Sequence, residues 1–91
     1  MREFKYIIRD KNGLHARPAG MLTTVAKGFE SSVTVKAGEK EADGKRLLSL
    51  MSLGAKQGTE LHFIIEGEDE ERAETALKKH CEERLSGGEY D

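Results

Sequence analysis

A histidine, an arginine two places on and the chain's one proline stand together in Gly13-Leu14-His15-Ala16-Arg17-Pro18-Ala19. Proline has no N–H and a preset φ, so it fits the first turn of a helix, where that N–H would go unpaired in any case. This places the helix start just after His15, with Ala16 as its first residue. The N–H groups of Ala16 and Arg17 then point toward whatever the imidazole carries, and the positive end of the helix favours an anion there. Arg17 adds a permanent charge whose paired donors suit phosphoryl oxygens. Gly13 lets the preceding loop fold close to the imidazole without a Cβ clash. The same field works against imidazolium, and a neutral imidazole is a competent nucleophile. A lone histidine near a helix start is ordinarily a cap or a surface residue. Together with Arg17, Pro18 and Gly13 it fits one task, reversible attachment of a phosphoryl group to a ring nitrogen.

Other chemistry finds little support. Cys81 is the single cysteine, so no disulfide forms within the chain and no thiol pair is available. The three histidines lie far apart without metal-ligand spacing, so neither a metal nor another cofactor is expected. His62 reads as a surface or edge position on a strand, His80 as solvated near the end of a helix, and Cys81 as a small buried apolar residue. Asn12 is placed either to bond the loop backbone or to orient the imidazole. Charged residues make up 35% of the chain, yet the net charge is only −2, which argues against nucleic acid as the partner. No apolar run approaches the ~20 residues of a membrane span, and Met1 to Asp10 lacks the apolar stretch of a secretory signal. The expectation is a cytoplasmic protein without membrane insertion.

These groups need a scaffold, and 91 residues allow one domain. Phe4 to Arg9 alternates Phe4, Tyr6 and Ile8 against Lys5, Ile7 and Arg9, a strand pattern. Ala16 to Lys27 carries a helical stripe of Ala19, Leu22 and Ala26 continuing to Phe29, with Gly28 in place for a left-handed cap. Ser32 to Ala37 alternates again, and Gly38-Glu39 reads as a two-residue hairpin turn into Lys40 to Asp43. Lys45 to Gly54 reads as a short helix, apolar on more than one side. Glu60 to Gly67 is a final strand with Leu61, Phe63 and Ile65 on one face. Glu68 to Leu85 forms a long helix, acidic at its start and basic later, as the dipole favours, with Ala73, Leu77, Cys81 and Leu85 as its buried stripe. The order β-α-β-β-α-β-α is that of an α+β domain over residues 1–85, with helices on one face of an antiparallel sheet and a frayed tail over residues 86–91.

The chain strongly resembles the HPr family, the histidine-containing phosphocarriers of the phosphoenolpyruvate-dependent sugar phosphotransferase system. The resemblance rests on Gly13 to Ala19 together with Leu-Met-Ser-Leu-Gly at Leu50 to Gly54, Ala-Lys-Gln-Gly-Thr-Glu-Leu at Ala55 to Leu61 and Glu-Gly-Glu-Asp-Glu-Glu-Arg-Ala at Glu66 to Ala73. It covers essentially residues 1 to 85. It implies an open-faced β-sandwich, a four-stranded antiparallel sheet in order 1-4-2-3 under three helices. It also implies that His15 takes phosphate on Nδ1 from phosphorylated enzyme I and passes it to the enzyme IIA domain of a sugar permease. Arg17 matches the family's phosphate-stabilising arginine and Pro18 its helix-start proline. The protein is then a carrier and not itself an enzyme.

Such a carrier docks to several partners in turn, so the resemblance implies exposed apolar residues around the histidine: Leu47, Leu48 and Met51 on the short helix, with Ala16 and Gly20 on the first. The apolar excess of Lys45 to Gly54 points to such a patch independently, with Leu50 and Leu53 turned inward. One position departs from the pattern. Many Gram-positive relatives carry, just after the lysine that opens the short helix, a serine phosphorylated by a dedicated kinase; here it is Arg46. Phosphorylation there is impossible, so regulation through HPr kinase and the catabolite control repressor is not implied, and Arg46 would instead favour acidic partner surfaces. Two further readings stand beside the main one: a relative in a nitrogen- or metabolism-linked relay without sugar transport, and a binding module that has lost phosphotransfer. The intact His15, Arg17 and Pro18 argue against the second. A transiently docking protein of this size is expected to be monomeric.

Overall fold

The protein is described by a computed structural model over residues 1–84. Leu85, expected on the buried stripe, and the expected tail over residues 86–91 lie outside the described residues. Seven elements follow in the expected order: β1 (Arg2–Ile7), α1 (Ala16–Lys27), β2 (Ser32–Ala37), β3 (Lys40–Asp43), α2 (Leu47–Met51), β4 (Glu60–Glu66) and α3 (Glu70–Arg84).

The strands form one antiparallel sheet in the order β1-β4-β2-β3. Because side chains alternate across a strand, the apolar residues at every second position meet on one face. Phe63 of β4 stands opposite Phe4 of β1 on one side and Val35 of β2 on the other. The Phe4 and Phe63 rings stack with centroids 4.5 Å apart and planes within 5°. Leu61 and Ile65 flank Phe63 on the same face, and all three are fully buried. Against them pack Ala19, Leu22 and Ala26 of α1, Leu50 of α2, and Ala73, Leu77 and Cys81 of α3, in a single core. The other sheet face carries Glu3, Lys5, Ile7, His62, Ile64 and Lys36 and stays uncovered among the described residues. The helices therefore cover one face only, as expected.

Several boundaries differ from the sequence expectation for local reasons. The first strand runs Arg2–Ile7 and not Phe4–Arg9. Ile8 keeps its inward side chain and its amide still donates to the Thr59 carbonyl at 2.9 Å, but its carbonyl accepts from Gly58 at 2.8 Å because the Thr59 amide is turned to the Lys56 carbonyl, so the ladder ends there. Helix α2 spans only Leu47–Met51 of the expected Lys45–Gly54. Asp43 bends the chain before it, accepting from the Lys45 amide on its side chain and from the Arg46 amide on its carbonyl. Gly28 is not a left-handed cap: its φ is −73°. Its amide donates to Val25 and that of Phe29 to Ala26, so the last turn of α1 tightens into short-range bonds that need no positive φ. The hairpin turn is as expected, with Ala37 paired to Lys40 and Gly38 at φ +64°.

Helix α3 is tied to the segment before β2 by Asp69, its N-cap. The Asp69 carbonyl accepts the Ala73 amide at 2.9 Å. Its carboxylate accepts the Glu30 and Ser31 amides, each at 2.9 Å, and the Ser31 hydroxyl. The Ser31 hydroxyl first, then the Glu30 amide, hold the Asp69 carboxyl well below the usual range, at about 2. Of the two positions expected for His62, surface holds and edge does not: β4 is an inner strand, but His62 lies on the uncovered sheet face, partly exposed, with its Nε2 2.6 Å from the Glu3 carboxylate. His80 is half-buried with Nε2 shielded from water, and not solvated as its place on the helix implied. Cys81 is buried as expected, and desolvation pushes its thiol up to about 12.

Candidate functional site

Two loops at one end of the sheet build the site. The first, Ile8 to His15, links β1 to α1; the second, Gly54 to Thr59, leads into β4. Four hydrogen bonds join them: Ile8 amide to Thr59 carbonyl, Gly58 amide to Ile8 carbonyl, Leu14 amide to Ala55 carbonyl, and the Gln57 side-chain amide to the Arg9 carbonyl. The motif Ala55 to Leu61 thus braces the loop that carries the histidine. Gly13, at φ +68°, lies so close to the second loop that a β-carbon would stand 2.4 Å from the Ala55 oxygen. Its close approach is to Ala55 and Lys56, where the expectation had been the imidazole. Leu14 is buried beside it and anchors the strand-to-helix link from below.

Helix α1 begins at Ala16, as the proline required, and His15 holds the N-cap position in an extended conformation (φ −86°, ψ −174°). The first intrahelical bond runs from the Ala19 amide to the His15 carbonyl at 3.0 Å. Pro18 is buried in the first turn with no amide to place there. The His15 side chain does not cap the helix. An ordinary Ser, Thr or Asp cap would fold back onto the amides of the first turn. Here the imidazole stays off them and is 38% exposed, open to a partner. Ala16 and Arg17 follow on the surface of the same turn.

The partner of the imidazole is Asp10, which the sequence reading passed over. Its Oδ2 lies 3.3 Å from His15 Nε2, while its Oδ1 accepts the Asn12 amide at 2.8 Å. The Asp10 carbonyl also accepts the Gly13 amide at 2.9 Å. The Asn12 amide first, and His15 with it, hold the Asp10 carboxyl below its ordinary range. Asn12 takes part through its backbone N–H, and the contact with the imidazole belongs to Asp10. An acidic residue five positions upstream in a turn has no periodicity to mark it; its one signal is the Asp-x-Asn-Gly turn chemistry.

The expected docking residues divide as expected between surface and core. Leu48 is 80% exposed, and Leu47 and Met51 are also on the surface, whereas Leu50 and Leu53 are buried. Ala16 is exposed and Gly20 half-buried on α1, the helix against which α2 packs. Met21, next to Gly20, is a further exposed apolar side chain that the sequence reading did not single out. Arg46, at the N-cap of α2, reaches into solvent with Asp43 3.7 Å away. The hydroxyl of Ser52 is spent on the Ser49 carbonyl at 2.6 Å. Among the described residues, no helix is long and apolar enough to cross a membrane.

Comparison with known proteins agrees with this geometry. A family model described as the PTS HPr component phosphorylation site matches residues 2–83. The phosphocarrier protein HPr of Mycoplasma capricolum is 40% identical over 79 residues, spanning 87% of this chain and 89% of that protein. The multiphosphoryl transfer protein of Salmonella typhimurium is 40% identical over 76 residues, which are 80% of this chain and 20% of that one. The solved structure of the histidine-containing phosphocarrier protein of Mycoplasma superposes with a TM-score of 0.87 at 38% identity, covering 92% of this chain and 97% of that one. With nearly the whole described chain matched in sequence and in fold, the protein belongs to the HPr family of phosphocarriers of the phosphotransferase system.

Proposed function

We propose that His15 is the residue that carries the phosphoryl group, and that it carries it on Nδ1. The observation that supports this best is the division of labour on the ring: Nε2 faces Asp10 at 3.3 Å, in a side chain that remains 38% exposed at the open tip of α1. That leaves Nδ1 as the nitrogen with an uncommitted lone pair. In the forward step this lone pair attacks phosphorus, the N–P bond forms, and the bond from phosphorus to its donor atom on enzyme I breaks, its electron pair leaving with that atom. The onward step to enzyme IIA is the same exchange in reverse. Arg17 and the helix tip hold the transferred oxygens.

In this reading residues 1–85 form the phosphocarrier domain of a cytoplasmic monomer, and the partner enzymes, not this chain, supply catalysis. Ala16, Gly20, Leu47, Leu48 and Met51 present a small apolar surface beside the histidine that both enzyme I and enzyme IIA engage, with Arg46 at its margin selecting acidic counterparts. HPr kinase and the catabolite control repressor are left out, because Arg46 offers no hydroxyl. Incubation with enzyme I and radiolabelled phosphoenolpyruvate tests the assignment. The wild type takes label and His15→Ala takes none; label persisting on the variant would overturn it.

A further inference from the structure

We infer that Asp10 is a positioning residue for phosphotransfer: its carboxylate holds the His15 ring proton on Nε2 and so keeps the Nδ1 lone pair free. This rests on the reading of His15 as the carrier and deepens it. Asp10 is well prepared for the role, since its side chain is only 15% exposed and is fixed at both ends. One oxygen is fixed by the Asn12 amide at 2.8 Å, and the backbone carbonyl by the Gly13 amide at 2.9 Å. The second oxygen is thereby directed at the imidazole. An ionised carboxylate can only accept, so the nitrogen it faces must carry the hydrogen. In a neutral imidazole the other nitrogen is then the acceptor. The separation of 3.3 Å is at the long end for an N–H···O bond, as contacts at reactive groups often are before a partner docks, and they shorten in the complex.

The arrangement also sets the angle of the ring. A histidine that capped its own helix would turn a nitrogen toward the amides of the first turn. Asp10 instead holds the ring from the loop side, leaving those amides to the phosphoryl oxygens.

The test uses a substitution that keeps the turn but inverts the hydrogen bond. In Asp10→Asn the side-chain oxygen still accepts the Asn12 amide, and the NH₂ group then faces Nε2 and must donate to it. The ring hydrogen is driven to Nδ1, the atom that should attack. Nitrogen-15 chemical shifts of the neutral His15 ring in the full-length, unphosphorylated protein report where the hydrogen resides. The wild type is expected to hold it on Nε2 and Asp10→Asn to shift it toward Nδ1. The rate of phosphoryl transfer from enzyme I should fall at least about fivefold, about 1 kcal/mol of activation free energy. Asp10→Ala, which only removes the acceptor, should lower the Nε2-H to Nδ1-H ratio by about fivefold without inverting it. A merely structural Asp10 would slow transfer without moving the hydrogen. An unchanged tautomer ratio in Asp10→Asn overturns the inference, whatever the rates do. The ring is read without phosphate, so a wild type that takes no phosphate on His15 would sink the carrier reading independently.

Discussion

A β-carbon on Gly13 would lie 2.4 Å from the carbonyl oxygen of Ala55, so the loop that presents His15 can pack against the loop that braces it only because residue 13 has no side chain. The same carbonyl accepts the Leu14 amide at 2.9 Å, and the two relations together fix where α1 starts. Gly13→Ala must therefore strain a positive φ and force the loops apart. We expect a loss of about 2–3 kcal/mol in urea unfolding. The rate of transfer to enzyme IIA should fall with it, because the imidazole is displaced from Asp10. A variant as stable as the wild type would mean that the two loops part without cost.

The short helix turns one leucine to solvent and another into the core within one turn, and the proposed docking role belongs to the first. Leu48 is 80% exposed, while Leu50 is fully buried in the core. Leu48→Glu should change stability by no more than about 0.5 kcal/mol yet raise the KM for enzyme I severalfold, whereas Leu50→Ala should cost about 2–5 kcal/mol of stability. Steady-state transfer assays beside denaturant melts distinguish the two. Equal effects on melting would refute the division of the helix.

Acid should loosen the junction between α3 and β2. The Asp69 carboxyl, held at about 2 by Ser31 and Glu30, lies below its unfolded value near 3.8. A carboxyl whose folded pKa is depressed binds fewer protons in the folded state, so its contribution is complete above the unfolded value and is lost as pH falls toward the folded one. Asp69→Asn should therefore be less stable than the wild type at neutral pH, and the difference should close between about pH 4 and pH 2. Thermal melts across that window check it; a difference independent of pH would assign the effect to shape and not to charge.

Cys81 should be chemically silent in the folded protein. With the thiol pushed up to about 12 by burial, only about one part in ten thousand is thiolate at pH 8. A disulfide reagent should react at the rate of global unfolding, and at once when urea is added. Fast labelling of the native protein would show that α3 opens locally.

Much of this was legible in the sequence because it depends on local periodicity. The alternation through Phe4, Tyr6 and Ile8, the stripe through Ala19, Leu22 and Ala26, and Pro18 after His15 each fix an element from residues a few places apart. The ends of elements were less legible. The ladder ends at Ile8 because Gly58, fifty residues on, takes its carbonyl in place of the Thr59 amide, and α2 is cut short by a turn that Asp43 organises. What the sequence hid altogether was contact without period. Asp10 on His15 is a loop geometry, and Asp69 on Ser31 joins residues 38 positions apart. The use of Gly13 was similarly hidden: its freedom was legible, but the neighbour that requires it lies across a loop.

The most direct measurement is the phosphorus NMR spectrum of the protein after incubation with enzyme I and phosphoenolpyruvate, with nitrogen-15 in the imidazole rings. A single phosphoramidate resonance coupled to Nδ1 of His15 is the result this structure leads one to expect. A phosphorus signal on Nε2, on His62 or His80, or no phosphoramidate signal at all would contradict it.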